Sequence, residues 1–232
     1  MHRADPVIEF VGLPGSGKST ITRALPQAWP TSRNTDPPPL PLARRLQVYG
    51  AALPFMLSLR PLEAEDTTRL RRIAGELRFY ERPAPGPLVI DQGMIQKLWS
   101  ILLDRRSYSA AALQRLVAAL APSAPDLIVH LGTPPDVAAE RLVSRNGGNS
   151  RLQKLPPDQM RKGLVAGEAL YARLLGLYRR HAASRVLELS GADPVAESAA
   201  RVMAAVEDLR AGAGMRPGMH DDGEFPHFAH SV

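Results

Sequence analysis

Eight consecutive residues, Gly12-Leu13-Pro14-Gly15-Ser16-Gly17-Lys18-Ser19, carry the strongest chemical signal in the chain. They fill every fixed position of the pattern G-x-x-x-x-G-K-[ST], in which glycines let backbone N–H groups turn inward and converge on one anion. The apolar run Val7-Ile8-Glu9-Phe10-Val11 precedes it and reads as a strand, and residues 19–28 read as the opening of a helix. Strand, glycine loop and helix is the order that this chemistry needs. The helix N-terminus adds about half a positive charge where the loop amides meet. Lys18 has the reach for β- and γ-phosphates, and the Ser19 hydroxyl suits a place on Mg²⁺. A tight glycine turn that only links strand to helix does not account for the agreement of pattern and flanks. Gly12, Leu13, Pro14, Gly15, Ser16, Gly17, Lys18, Ser19 and Thr20 therefore read as contacts for a nucleoside triphosphate.

Asp91 is the second signal. It ends the buried-type run Leu88-Val89-Ile90, and a polar residue at the carboxyl end of a parallel strand faces the ligand crevice. A carboxylate there can order Mg²⁺ through water or accept the proton of an acceptor hydroxyl. The competing reading is a cap on the helix that opens at Gln92-Gly93-Met94. The third signal is an arginine set. Arg141 and Arg145 stand four apart on one predicted helix and share a face, and Arg151 follows the loop Asn146-Gly147-Gly148-Asn149-Ser150. Arginines on a closing flap can neutralise a transferred phosphoryl group while closure excludes water; the competing reading is a solvated helix face.

The elements that must hold these residues alternate. Strands are expected at residues 6–11, 88–91, 126–131 and 185–189, with a further one near 31–41 that the pattern does not locate. Helices are expected at about 42–59, 62–81 (with Pro61 at its start), 94–103, 110–120, 133–145, 156–181 and 194–209. Thr133 is expected to cap the helix that carries Arg141. His130, inside a buried strand, reads as a core histidine. Strands alternating with helices imply a mostly parallel sheet covered on both faces. Residues 211–232, where Gly, Pro, His and acids replace the apolar period, read as a disordered tail.

The chain has 232 residues, 44% of them hydrophobic, and no cysteine. That length suits one α/β domain, and the missing cysteine excludes disulfides and thiolate zinc sites, in keeping with a cytoplasmic location. The longest apolar run, residues 49–59, is too short to span a bilayer. Net charge is +6, but no basic stretch is interleaved with aromatics, so a nucleic-acid surface is the weaker reading.

Four stretches together, residues 7–20, 89–93, 127–145 and 185–194, resemble the small-molecule kinases of the P-loop class, closest to the thymidylate kinase and deoxynucleoside kinase group. The phosphate loop is the specific part. The resemblance implies a three-layer P-loop NTPase fold with about five strands. It implies one kinase domain over 1–210, an acceptor and helical region over about 31–120, and a helical lid over about 141–157. It implies ATP and Mg²⁺ as cofactors, with the metal near Ser19 and Asp91, and transfer to a small acceptor: a nucleoside, nucleotide or other hydroxylated metabolite. Arg141 would flank the adenine, Arg145 and Arg151 would contact phosphates, and residues 190–193 would border the base. The sequence departs from the group in three ways: Gln92 stands where an arginine normally follows the acid, Asn146 and the glycines loosen the arginine pairing of the lid, and the acceptor segment after the second strand is not recognisable. These departures point away from thymidylate as acceptor. The apolar helices within 42–120 suit either the wall of an acceptor pocket or a homodimer contact.

Two other readings share the donor site. One is a nucleotide-dependent switch or ATPase acting on a partner protein, although the N-K-x-D element of GTP switches is absent. The other is a kinase of nucleic-acid ends, which requires strongly salt-dependent polynucleotide binding.

Overall fold

The first strand is apolar at five of six positions, and all six residues of β1 (Val7–Gly12) are buried, as expected of a strand covered on both faces. In the computed structural model, which describes residues 5–32, 39–81, 85–103, 105–145 and 150–214, it lies inside a four-stranded parallel sheet. The others are β2 (Leu88–Asp91), β3 (Leu127–Gly132) and β4 (Arg185–Ser190), in the order β2-β1-β3-β4. The connections are helical: α1 (Lys18–Ala24), α2 (Leu42–Ser58), α3 (Ala64–Glu81), α4 (Met94–Leu102), α5 (Ala110–Leu120), α6 (Pro135–Ser144), α7 (Pro157–His181) and α8 (Val195–Gly214).

Strand alternation sorts the core into two layers. Ile8, Phe10, Val89, Leu127, Val129 and Leu131 face a cluster completed by α1 and α8. Val7, Val11, Leu88, Ile90 and Ile128 face the larger cluster built from α2 to α7. This three-layer arrangement is the one that the motifs predict. Glu9 and His130 share strand parity with the second set, so two polar side chains lie under its helices. His130 is buried and its Nδ1 meets Glu188 Oε2 at 2.6 Å, while Nε2 has no hydrogen-bond partner among the described residues.

Several expectations need correction. Among the described residues the fifth strand is represented by one parallel bridge between Thr31 and Val89. Pro30 still accepts from Val89 N at 2.9 Å, but prolines have no N–H with which to extend a ladder; residues 33–38 of that segment lie outside the described residues. Helix α3 starts at Ala64 rather than at Pro61, whose carbonyl is instead taken by the Arg105 guanidinium. Thr133 does not cap α6, whose N-cap is Pro134 without a side-chain bond. Helix α8 runs to Gly214, past the expected start of the tail; the remainder, 215–232, lies outside the described residues, as does 146–149 of the expected lid.

The start of α3 is pinned to the end of α4 by a buried ion pair. Arg105 Nη2 donates to Asp66 Oδ1 at 3.0 Å, both side chains are inaccessible to solvent, and Arg105 Nε also donates to Ile101 O. Asp66 Oδ2 accepts from Glu63 N at 3.0 Å. Removing Asp66 leaves the buried Arg105 with only the half-exposed Glu63, at 3.2 Å, as a carboxylate partner, and breaking a buried pair typically costs about 3–5 kcal/mol. Asp66→Ala is therefore expected to lower unfolding stability by about 3 kcal/mol, read from the urea midpoint against the unaltered chain.

Candidate active site

The glycines of the loop answer to close approaches. A Cβ on Gly12 would stand 2.7 Å from Leu131 O, and one on Gly15 would stand 2.7 Å from Ala138 O. The loop is thus wedged between β3 and α6 with no room for side chains at those positions. Gly15 and Gly17 have φ of +84° and +100°, a left-handed conformation that glycine adopts without strain. Thr133, the residue expected to cap α6, is buried and donates from Oγ1 to Ser16 O at 3.4 Å. It fastens the loop to the end of β3. A Cβ on Gly191 would meet Thr133 Oγ1 at 2.0 Å and Ser16 O at 3.1 Å, so the β4–α8 turn is pressed against the same point.

Lys18 folds back over the loop. Its Nζ donates to Gly12 O at 2.6 Å, Leu13 O at 2.9 Å and Ser16 Oγ at 3.2 Å. Burial pushes its pKa down to about 8, with Asp91 drawing it up and Arg145 pushing it down, so the ammonium keeps its charge at neutral pH. Ser19 and Thr20, in the first turn of α1, are exposed.

A cleft of about 880 Å³ opens over the loop. It brings together Pro14, Gly15, Ser16, Gly17, Lys18, Ser19 and Thr20 with Asp91, Arg141, Arg145 and Arg151. Of the residues expected there from sequence, Gly12 and Leu13 do not line it; both are buried beneath the loop, where their carbonyls hold Lys18. Five cationic side chains line the cleft (Lys18, Arg23, Arg141, Arg145 and Arg151), against the carboxylates of Asp91 and Asp193. Such a wall favours a polyanion.

The cleft has two ends, because the sheet order places β2 and β4 on opposite sides of β1. On the β4 side lie Ser190, Gly191, Ala192 and Asp193, joined to α6 by Arg141 Nη2 donating to Gly191 O at 3.0 Å. On the β2 side lie Asp91, Gln92, Gln96, Ser100 and Leu103. Arg151 reaches this end, where its Nη2 donates to Ser100 O and Oγ, each at 2.9 Å. Burial lowers the Arg151 pKa, and Arg69 lowers it further. Arg145 follows the last turn of α6, and its carbonyl accepts from Gln153 Nε2 at 3.0 Å.

Sequence reasoning missed the layer beneath Asp91. Glu9 is fully buried and accepts from Tyr80 Oη at 2.7 Å, Ile95 N at 2.8 Å and Gln96 N at 3.2 Å. Tyr80 Oη in turn accepts from Met94 N at 2.9 Å. The opening amides of α4 thus meet a carboxylate and a phenol. Gly93 is where the two come closest: a Cβ there would stand 2.0 Å from Tyr80 Oη and 2.5 Å from the Glu9 carboxyl carbon. Gln92, just before it, has φ of +61°, and its carbonyl accepts from Lys97 Nζ, which also pairs with Glu76 at 2.6 Å. The signal for this layer was present in one polar residue within an otherwise apolar strand. Trp99 is buried, stacks on Tyr171 with centroids 5.0 Å apart, and donates to Gly167 O at 2.8 Å, which makes it a wall of the cleft held from behind.

Among the described residues no cluster of three or more His, Cys, Asp or Glu comes together. Ser19 and Asp91, which line one cleft, fit a Mg²⁺ that takes one or two protein ligands and completes its shell with phosphate and water. No helix among the described residues is long and apolar enough to cross a membrane.

A family profile described as AAA domain matches residues 7–170. Among solved structures, the chain is similar to deoxyadenosine kinase from M. mycoides with bound dATP. The identity is 11% and the TM-score 0.52, over 87% of this chain and 99% of that one. No curated protein matches. At this identity the likeness is one of fold, and it agrees with the P-loop kinase resemblance carried by the motifs.

Glu9 yields a prediction about pH. Burial raises its pKa from 4.5 to about 7, against the opposing hydrogen bonds of Tyr80, Gln96 and Ile95 and the charge of Lys97. The folded chain then holds this proton more tightly than the unfolded one, so stability falls as pH rises from 4.5 through about 7. The expected loss is roughly 3 kcal/mol. Glu9→Gln should flatten that slope, as read from denaturation midpoints at pH 5 and pH 8.

Proposed function

Because the chain belongs to the family described as AAA domain, we propose that it is an ATP- and Mg²⁺-dependent kinase that passes the γ-phosphoryl group to a small hydroxylated acceptor. The observation that carries this reading is the two-ended cleft on either side of Lys18. A switch or simple ATPase needs room for one nucleotide and a water, whereas a kinase needs a second compartment. Here that compartment is lined by Gln92, Gln96, Ser100 and Leu103.

In this reading the residues divide by position. The turn at 190–193 and Arg141 border the adenine, and the loop amides with Lys18 hold the β- and γ-phosphates. Ser19 and Asp91 would hold Mg²⁺, which when bound neutralises phosphate charge. Asp91 also stands where it can accept the proton of the acceptor hydroxyl. Arg145 and Arg151 would bear charge on the transferred group, Arg151 being steadied by Ser100. Most of the rate gain would come from alignment and fixed positive charge.

Beside Asp91 and Arg151, the acceptor end offers two glutamine amides and a serine, which suit a compound rich in hydroxyls or ring nitrogens. The structurally similar protein is a deoxyadenosine kinase by name, and that supports a nucleoside-like acceptor. Gln92, in the place where the kinase group usually has an arginine, supports one without a phosphate of its own. A homodimer formed through the apolar helices and a cytoplasmic location accompany this proposal.

The direct test supplies ATP and Mg²⁺ with a pool of nucleosides, nucleoside monophosphates and hydroxylated metabolites, and reads products by mass. One acceptor gaining one phosphoryl group is the expected outcome. ADP without any phosphorylated acceptor would move the assignment to the nucleotide-dependent switch. Lys18→Ala is expected to lower turnover by about 10² or more with the melting temperature little changed. Asp91→Asn is expected to lower kcat by a similar factor, with a smaller change in the KM for ATP.

A further inference from the structure

A second cavity, of about 540 Å³, opens between α2 and α3. Arg45 and Tyr49 of α2 and Arg71, Arg72, Arg78 and Phe79 of α3 line it. We propose that it is a separate site for a small anion carrying two or more negative charges, of phosphate-ester or polyphosphate chemistry. The inference rests on α2 and α3 and does not require the activity proposed above.

Part of the positive charge around this cavity has no ion-pair partner among the described residues, although the charges of Arg72 and Arg78 act on Glu76. No described carboxylate lies within salt-bridge distance of Arg45, Arg71 or Arg72, whereas the adjacent Arg44 pairs with Glu81 at 2.8 Å and Arg69 pairs with Glu65 and Asp66. The one carboxylate on the wall, Glu76, is engaged by Lys97 at 2.6 Å. The Arg78 guanidinium lies over the Phe79 ring, 5.0 Å from its centroid. Gathering cations on one helix face is destabilising by itself, and a bound polyanion reverses the sign.

The shape supports a small ligand. Gly75, in the middle of α3, lines the cavity, and a Cβ there would meet nothing within 4 Å. A mid-helix glycine costs about 1 kcal/mol relative to alanine, and no packing contact requires this one. It leaves the floor open between the arginines. A concave wall lined by several arginines suits a compact anion, while a polynucleotide calls for an extended basic stripe.

Inorganic pyrophosphate titrated into the full chain by calorimetry tests the assignment. One equivalent is expected to weaken about tenfold or more in Arg71→Ala/Arg72→Ala, whose side chains are exposed. The same equivalent should be lost in Gly75→Leu, which fills the floor and leaves the charge unchanged. Pyrophosphate binding that responds only to Lys18→Ala, or that persists in Gly75→Leu, would overturn the site. So would displacement by a single-stranded oligonucleotide binding more tightly than pyrophosphate, which would assign the arginines to nucleic acid. If the main cleft binds no pyrophosphate at all, the Arg71 and Arg72 dependence still decides the question.

Discussion

A single buried carboxylate fixes how the two halves of the main cleft meet. Glu9 lies in the middle of the central strand and takes hydrogen bonds from α3 through Tyr80 and from the first turn of α4 through Ile95 and Gln96. Burying an acidic group in an apolar layer is costly unless its oxygens are satisfied, and here three donors converge on it. The turn between Asp91 and Met94 has one way to pass over this cluster, with glycine at 93 and a left-handed residue at 92. The direction of Asp91 and of the α4 face that carries Gln96 and Ser100 follows from that constraint.

On the other side of the loop the fastening is steric. Gly12, Gly15 and Gly191 each occupy a point where backbone or a hydroxyl leaves no room for a Cβ. These three contacts lock β1, β3, α6 and the β4–α8 turn around one loop. Its amides are therefore held in place before any anion arrives, and preorganised donors lose little on binding. Lys18, held by the loop's own carbonyls, shares that order.

The two cationic sites differ in how they are supplied. In the main cleft, charge comes from separate segments: Lys18 from the start of α1, Arg141 from α6, Arg145 just past its end and Arg151 six residues further on. Their convergence depends on the whole fold. In the cavity between α2 and α3, three of the four arginines come from one helix, so their grouping is local and the fold adds mainly the opposing wall. Glu76 and Lys97 lie between the two sites, and Lys97 also holds the Gln92 carbonyl.

The sequence by itself determined the phosphate loop, the buried strands, the helices around them and the acidic end of β2. Each rests on spacing or periodicity within a few residues, where local chemistry decides the conformation. Lys18, Ser19, Asp91 and the three arginines were singled out in this way, and they line one cleft. Thr133 was legible as a polar residue before a helix but not in its role, because its partner Ser16 is 117 positions away in the chain. Gln96 and Ser100 read as ordinary helix residues until α4 is docked beside the loop. The strand expected near 31–41 was not locatable from its pattern, and only Thr31 of its described residues bridges β2. Only the tertiary structure decided which side of Asp91 faces the cleft, why Gly93 is a glycine, and that Glu9 sits beneath both, because contacts between distant segments leave no periodic trace in the chain.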